Sequence, residues 1–281
     1  MAKVTAEIIK KKKLSGEKIT ALTSYDYSTA RIVDAAGVDV ILVGDSAAMV
    51  VLGYDTTCAI GVDEMLIFTK AVSRGAKEAL IVADMPFGSY QASIAEAVTN
   101  ACSFIKAGAN AVKIEGGSDY IVELTERLTT QGIPVLSHLG FTPQFLNALG
   151  GYKVQAKEAQ QTEFILNQAK KLEKVGAFAL VLEMVSESAA KYISENISIP
   201  VIGIGAGRYV DGQILVVDDI LGKYNDFMPK FVKRYADLNS VMTEAIEAYV
   251  KEVKKGIFPD ENHIFEMNNV EREKLNNATC S

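Results

Sequence analysis

Residues Val38 to Ser46 read VDVILVGDS. An apolar, mostly β-branched run, Val40 to Val43, turns at Gly44 and stops on a carboxylate, Asp45. The same ending recurs: ALIVADMP stops on Asp84, AVKIEGG on Glu115 and ALVLEMV on Glu183. Short runs without apolar/polar alternation fit strands covered on both faces, as parallel strands are. One buried strand that ends on an acid is ordinary. Four of them call for a common cause.

Outward from these four, the pattern predicts strands near 18–24, 38–44, 78–84, 111–115, 133–138, 178–183, 199–204 and 213–217. Helical periodicity falls between them near 26–36, 62–74, 92–107, 118–131, 157–175 and 186–195, and again near 230–255. Alternating strands and helices imply a parallel sheet with right-handed crossovers. AGVDVILVGD, AGANAVKIEG and VGAFALVLEM repeat one unit: a glycine able to end a helix, a short strand, then an acid. The expected fold is α/β, a single (β/α)8 TIM barrel. An open doubly wound sheet is the alternative, but no clear dinucleotide fingerprint supports it. The expected domain is 1–265, with a short N-terminal helix and a C-terminal helical segment. Residues 266–281, EMNNVEREKLNNATCS, read as a flexible tail.

The bulk numbers narrow the function. At 281 residues, 49% hydrophobic and 23% charged, the chain can fill a barrel core unaided. A net charge of −6 argues against a nucleic-acid surface, and the basic run Lys10 to Lys13 reads as a solvated helix face. No apolar run reaches the ~20 residues a membrane span requires. Cys58, Cys102 and Cys280 lack metal or redox spacing, which fits reduced thiols in a cytoplasm. With only His138 and His263 present, a metal would have to rely on oxygen ligands.

The barrel accounts for the four acids. Parallel strands share one direction, so their C-terminal ends gather at one mouth, where barrel enzymes place their active sites. Asp45, Asp84, Glu115, His138 and Glu183 should converge there. Carboxylates crowded in a low-dielectric pocket repel one another. Lys113, two residues before Glu115 and so on the same strand face, supplies one positive charge. A divalent cation, Mg²⁺ or Mn²⁺, would supply the rest. Acids that merely cap helices or pair with arginines are the competing reading, and it weakens with each further member of the set. His138 reads either as a substrate contact or as a core histidine. Tyr25 reads as lining the site or as packing at a helix start. GIGAG, Gly203 to Gly207, lacks dinucleotide spacing and reads as close packing or backbone approach to substrate. The stretch after His138, through Gly150, Gly151 and Tyr152, reads as a flap over the mouth.

TSYDYSTA, VGDS, ADMPFGSY, AVKIEGG, HLGFTPQ, GGYKVQ, LVLE, IPVIGIGAG and DGQILV together resemble the ketopantoate hydroxymethyltransferase family, in one order from about residue 5 to 265. The resemblance implies Mg²⁺-dependent transfer of a hydroxymethyl unit from 5,10-methylenetetrahydrofolate to 3-methyl-2-oxobutanoate, giving 2-dehydropantoate for pantothenate biosynthesis. It implies that Asp45, Asp84 and Glu115 form the metal site, that Ser46 and Lys113 bind the keto acid, and that Glu183 is the general base; Asp45, Asp84 and His138 are expected to contact the same substrate. It also implies a cytoplasmic homo-oligomer, often ten subunits as two rings of five, with no nucleic-acid or membrane partner. One departure is Pro259-Asp260, where the family often has Pro-Gly; it leaves that segment's role open. The enzymatic rival is a Mg²⁺-dependent carbon–carbon lyase or mutase on a 2-oxo acid. Many of those carry a catalytic cysteine before a glycine, and no cysteine here precedes one. A non-catalytic barrel is the rival from another class, and retention of Asp45, Asp84, Lys113, Glu115 and Glu183 counts against it.

Overall fold

Strands form at β1 (Ile19–Thr23), β2 (Val40–Val43), β3 (Leu80–Asp84), β4 (Ala111–Glu115), β5 (Val135–Gly140), β6 (Ala179–Glu183), β7 (Val201–Ile204) and β8 (Gly212–Leu215). Each overlaps its expected run. All pair in parallel and in chain order, and β8 closes onto β1 with Ile19 opposite Gly212. The computed structural model describes residues 3–226 and 228–278; Cys280 therefore lies outside the described residues. The chain divides into two units, Met1–Tyr235 and Ala236–Ser281.

In the first unit the helices are α1 (Ala6–Ser15), α2 (Tyr27–Ala35), α3 (Ala47–Val50), α4 (Val62–Gly75), α5 (Ile94–Lys106), α6 (Asp119–Thr130), α7 (Leu146–Leu149), α8 (Ala159–Lys174), α9 (Glu187–Glu195) and α10 (Val217–Ile220). Local chemistry sets their ends. The side chains of Asp26, Ser93 and Ser118 accept backbone N–H bonds at the starts of α2, α5 and α6. The repeat glycines Gly37, Gly108 and Gly176 follow α2, α5 and α8 with φ of 82°, 108° and 98°, a conformation a side chain would resist.

Strand alternation then sorts the core into two layers. Ile41, Val43, Ile81, Val112 and Leu180 face outward and pack against the helices. Leu42, Val82, Ala111, Leu136 and Val181 face inward and fill the barrel. Helix α1 covers the N-terminal ends of the strands, where Ile9 joins the inner layer. The basic run departs here from the solvated face expected of it. Lys12 pairs with Asp39 at 2.7 Å, and Lys13 pairs with Asp211 at 2.9 Å and donates to the Ser194 and Ile199 carbonyls. Both lysine stems lie over the barrel floor with their ammonium groups satisfied.

The second unit holds α11 (Leu238–Lys254), a short 3₁₀ turn at Glu261–His263 and α12 (Asn269–Ala278). Within the stretch read as a flexible tail, α12 is helical. Helix α11 has no buried residue, so its periodicity alone could not assign it to the barrel core. The Phe258 ring lies between those of Tyr249 and His263, at 5.8 and 5.4 Å, and His263 Nδ1 lies 2.6 Å from Asp260.

Candidate active site

Period-two alternation carries the inward face of each strand into the mouth. On β3, Val82 is followed two residues later by Asp84; on β4, Ala111 by Lys113 and Glu115; on β5, Leu136 by His138; on β6, Val181 by Glu183. Parallel register then sets Asp84 beside Lys113, Glu115 beside His138 and Gly140 beside Glu183. Asp45 lies two residues past β2, and its backbone N–H donates to Asp84 at 3.3 Å.

The contacts form one network. Lys113 Nζ donates to both Asp84 oxygens at 2.8 and 2.7 Å and to Glu115 Oε1 at 3.1 Å. His138 bridges two acids, with Nδ1 3.2 Å from Glu115 and Nε2 3.3 Å from Glu183. Neither ring nitrogen is aligned for a hydrogen bond, so these contacts act through charge. Ser46 Oγ lies 2.8 Å from the Tyr25 hydroxyl. Tyr25 is buried, and its position is that of a group holding Ser46 in place.

Two residues that the sequence reading did not single out complete the set. The Gln144 backbone N–H donates to Glu115 Oε2 at 3.1 Å, and its side-chain amide donates to Asp45 Oδ2 and to the Met85 carbonyl, both at 2.9 Å. The Tyr90 hydroxyl donates to Gln144 Oε1 at 2.7 Å. Gln144 stands in HLGFTPQ, on a 3₁₀ turn at Pro143–Phe145, and Tyr90 in ADMPFGSY, on a loop; neither has a periodicity that shows which way a side chain points.

Burial and charge shift the ionisations. Asp45 is pushed well above the carboxylate range by burial and by Asp84, with Lys113 and Gln144 opposing. Burial also raises Asp84, against the pull of Lys113. Burial opposes ionisation of Glu115, yet Lys113 and His138 outweigh it and hold its pKa at about 2. For Lys113 burial favours the neutral amine, but Asp84, Glu115 and Asp45 overcome it and raise the pKa well above its ordinary value. His138 follows the same logic: burial lowers its pKa, Glu115 raises it more, and it reaches about 9.

The donor set fits a hard divalent cation. One oxygen each from Asp45, Asp84 and Glu115 come within 4.8 Å of one another, and all three residues are buried. Formally, four carboxylates against Lys113 and His138 leave a charge of −2. These groups line a cavity of ≈ 170 Å³ together with Ser46, Pro143, Tyr152, Val181, Asp219, Tyr224 and Phe231. The stretch read as a flap contributes Pro143 and Tyr152 to this wall, and Tyr152 packs on Phe141 at 5.1 Å. In GIGAG, a Cβ on Gly205 would stand 2.7 Å from Phe231 and one on Gly207 2.3 Å from Glu187, so these glycines serve close packing.

A closed (β/α)8 barrel whose mouth gathers carboxylates, a lysine and a histidine from separate strands has the architecture of a barrel enzyme with a cation-ready site. Comparison with known proteins specifies which. The family model described as ketopantoate hydroxymethyltransferase matches residues 3–261, and the chain belongs to that family. A 3-methyl-2-oxobutanoate hydroxymethyltransferase of Thermotoga neapolitana is 55% identical over 257 residues, covering 91% of this chain and 95% of the relative. One from Carboxydothermus hydrogenoformans is 53% identical over 268 residues, covering 95% and 97%. Among solved structures, a 2,3-dimethylmalate lyase of the PEP mutase/isocitrate lyase superfamily superposes with a TM-score of 0.58 at 15% identity, covering 98% of each chain. That likeness extends to the fold alone.

Proposed function

We propose that this enzyme transfers a hydroxymethyl group from 5,10-methylenetetrahydrofolate to 3-methyl-2-oxobutanoate, giving 2-dehydropantoate. The buried cluster of Asp45, Asp84 and Glu115 beside Lys113 and Glu183, in a chain of this family, carries the reading. The three acids would hold Mg²⁺, which when bound supplies Lewis-acid stabilisation of an enolate. Lys113 and the Ser46 hydroxyl offer donors to the keto acid's carboxylate, and His138 contacts the same substrate. Glu183 needs no place among the metal ligands and is partly exposed to the cavity, which leaves its carboxylate free to take the C3 proton. His138, between Glu115 and Glu183, steadies that base. The nucleophilic carbon so formed bonds to the donor's methylene carbon, whose two bonds to folate nitrogens break. Water supplies the hydroxyl and one of the two protons that the nitrogens gain, the other being the one taken from C3, and tetrahydrofolate leaves. The same reading makes the protein a cytoplasmic homo-oligomer, consistent with family membership and with the exposed apolar residues Val241, Ile246, Tyr249 and Val250 of α11.

The same acid cluster admits a second reading, a Mg²⁺-dependent carbon–carbon lyase or mutase on a 2-oxo acid. It shares the metal cluster but does not require proton removal at C3 without the second substrate. Solvent deuterium exchange separates the two. With Mg²⁺ and no folate, the enzyme should exchange the C3 proton of 3-methyl-2-oxobutanoate. Glu183→Gln should slow exchange by ~10²–10⁴-fold, the usual worth of a general base. Asp84→Asn should also suppress it, with weaker binding of the metal. Exchange at the parent rate in Glu183→Gln would remove Glu183 from the role of base.

A further inference from the structure

The cavity is lined by five acids: Asp45, Asp84, Glu115, Glu183 and Asp219. The first four are all engaged within the site, through Gln144, Lys113 and His138. The Asp219 carboxylate alone has neither a hydrogen bond nor an ion pair among the described residues. Its neighbour Asp218 differs, being buried and paired with Lys223 at 3.0 Å. Arg234, a cation whose charge Asp219 feels, donates instead to the Tyr224 carbonyl at 3.3 Å.

The barrel order gives this odd acid its meaning. Asp219 follows β8, which stands across the barrel from β4 and hence from Lys113 and Glu115; β6, which carries Glu183, lies between. On the Asp219 side the cavity wall includes Val216, Tyr224, Pro229 and Phe231, with the Phe231 ring seated on Gly205. A carboxylate set among apolar and aromatic walls keeps a desolvation cost that Arg234 offsets only in part. Burial, and then Asp218, push its pKa up to about 6. Two parallel N–H donors on a planar group match a carboxylate best, because both oxygens are engaged at once. Aromatic walls favour such a group when it is a flat ring.

We infer that Asp219 anchors the one-carbon donor by accepting the paired N3–H and 2-amino hydrogens of its 2-amino-4-oxopteridine ring. The inference rests on the folate-donor reading above and assigns the side of the cavity that the keto acid does not use. The keto acid sits at the β2–β4 side, the pteridine at the β8 side, and Glu183 between them removes the proton from the carbon that meets the methylene group. Asp219 takes no part in bond making.

Equilibrium binding of tetrahydrofolate, which lacks the methylene group and cannot react, tests this. Asp219→Asn keeps the side chain's size but turns one acceptor into a donor facing the ring's N–H groups. It should weaken tetrahydrofolate binding at least tenfold. The substitution removes a half-buried charge, so folding is not put at risk, and retained binding of 3-methyl-2-oxobutanoate with Mg²⁺ checks the site. The parent enzyme should also bind 2-deaminotetrahydrofolate more weakly than tetrahydrofolate, whereas Asp219→Asn should discriminate little between the two. Equal tetrahydrofolate affinity in parent and variant, or undiminished discrimination in the variant, overturns the assignment of Asp219. A parent enzyme that binds no tetrahydrofolate while exchanging the keto acid's proton would instead overturn the folate donor itself, and this inference with it.

Discussion

At the scale of single residues, Gln144 shows how much of the proposed metal site lies outside its acids. Its two N–H donors hold Glu115 and Asp45 before any cation arrives, and Tyr90 fixes the amide's orientation. Groups that orient metal ligands in this way typically matter by 10–100-fold in affinity. Gln144→Leu should therefore weaken Mn²⁺ binding by about that factor, measured by titration calorimetry on the protein without substrate. It also strands the Tyr90 hydroxyl, at a stability cost of about 1–3 kcal/mol. Leucine keeps the backbone N–H to Glu115, so unchanged Mn²⁺ affinity would show that Asp45 needs no side-chain donor to orient it. Asp219 gives a pH-dependent counterpart. Its folded pKa, about 6, lies above the unfolded value of 3.8, so the folded state holds its proton more tightly. Its contribution favours folding below about pH 4 and is lost as pH rises through 6. Asp218, Arg234, Tyr224 and Tyr25 are the titratable or charged groups that feel it. Thermal denaturation should find Asp219→Asn more stable than the parent at pH 7.5, with the gain fading towards pH 4. A gain that is the same at both pH values would mean the carboxylate is not strained.

At the scale of elements, the end of β5 controls where Glu183 sits. Gly140 has φ +94°, and a Cβ there would meet the Glu183 carbonyl at 2.4 Å and Val185 at 2.6 Å. The clash is with backbone, which cannot swing aside as a long side chain can. Gly140→Ala should cost roughly 1–3 kcal/mol, the usual range for a forced backbone conformation, and should lower turnover by displacing Glu183. Gly132, with φ +82° and open space around its Cβ position, is the control. Gly132→Ala carries only the left-handed backbone penalty, so melting temperatures should fall further for Gly140→Ala. Equal losses would show that the close approach to Glu183 adds nothing.

At the scale of the whole molecule, closure of the sheet lets one cavity draw groups from the ends of β2, β3, β4, β5 and β6 and from α10 after β8. An open sheet would leave its edge strands too far apart to share a substrate. Assembly belongs to this scale too. Helix α11 buries no residue and exposes Val241, Met242, Ile246, Tyr249 and Val250, and helices in proteins draw most of their stability from packing an apolar face. Light scattering at micromolar concentration should give a mass several times the 30.4 kDa of one chain. A clean monomer would sink the homo-oligomer.

The sequence by itself determined the eight strands, the closed barrel and the five acidic and basic strand-end groups, Asp84, Lys113, Glu115, His138 and Glu183. These positions answer to short-range rules: β-branched runs, a period of two, and glycines that end helices. The family motifs were legible for the same reason, being contiguous stretches of chain. Gln144, Tyr90 and Asp219 were not legible in this way. Each lies on a loop or a single helical turn, where the direction of a side chain depends on how neighbouring βα units pack. The basic run of α1 misled for a related reason. Lys12 and Lys13 have the spacing of a solvated face, and only closure of the barrel floor brings Asp39 and Asp211 beneath them. Residues on regular elements carry their geometry in their own periodicity, whereas those on connections receive it from contacts distant in the chain.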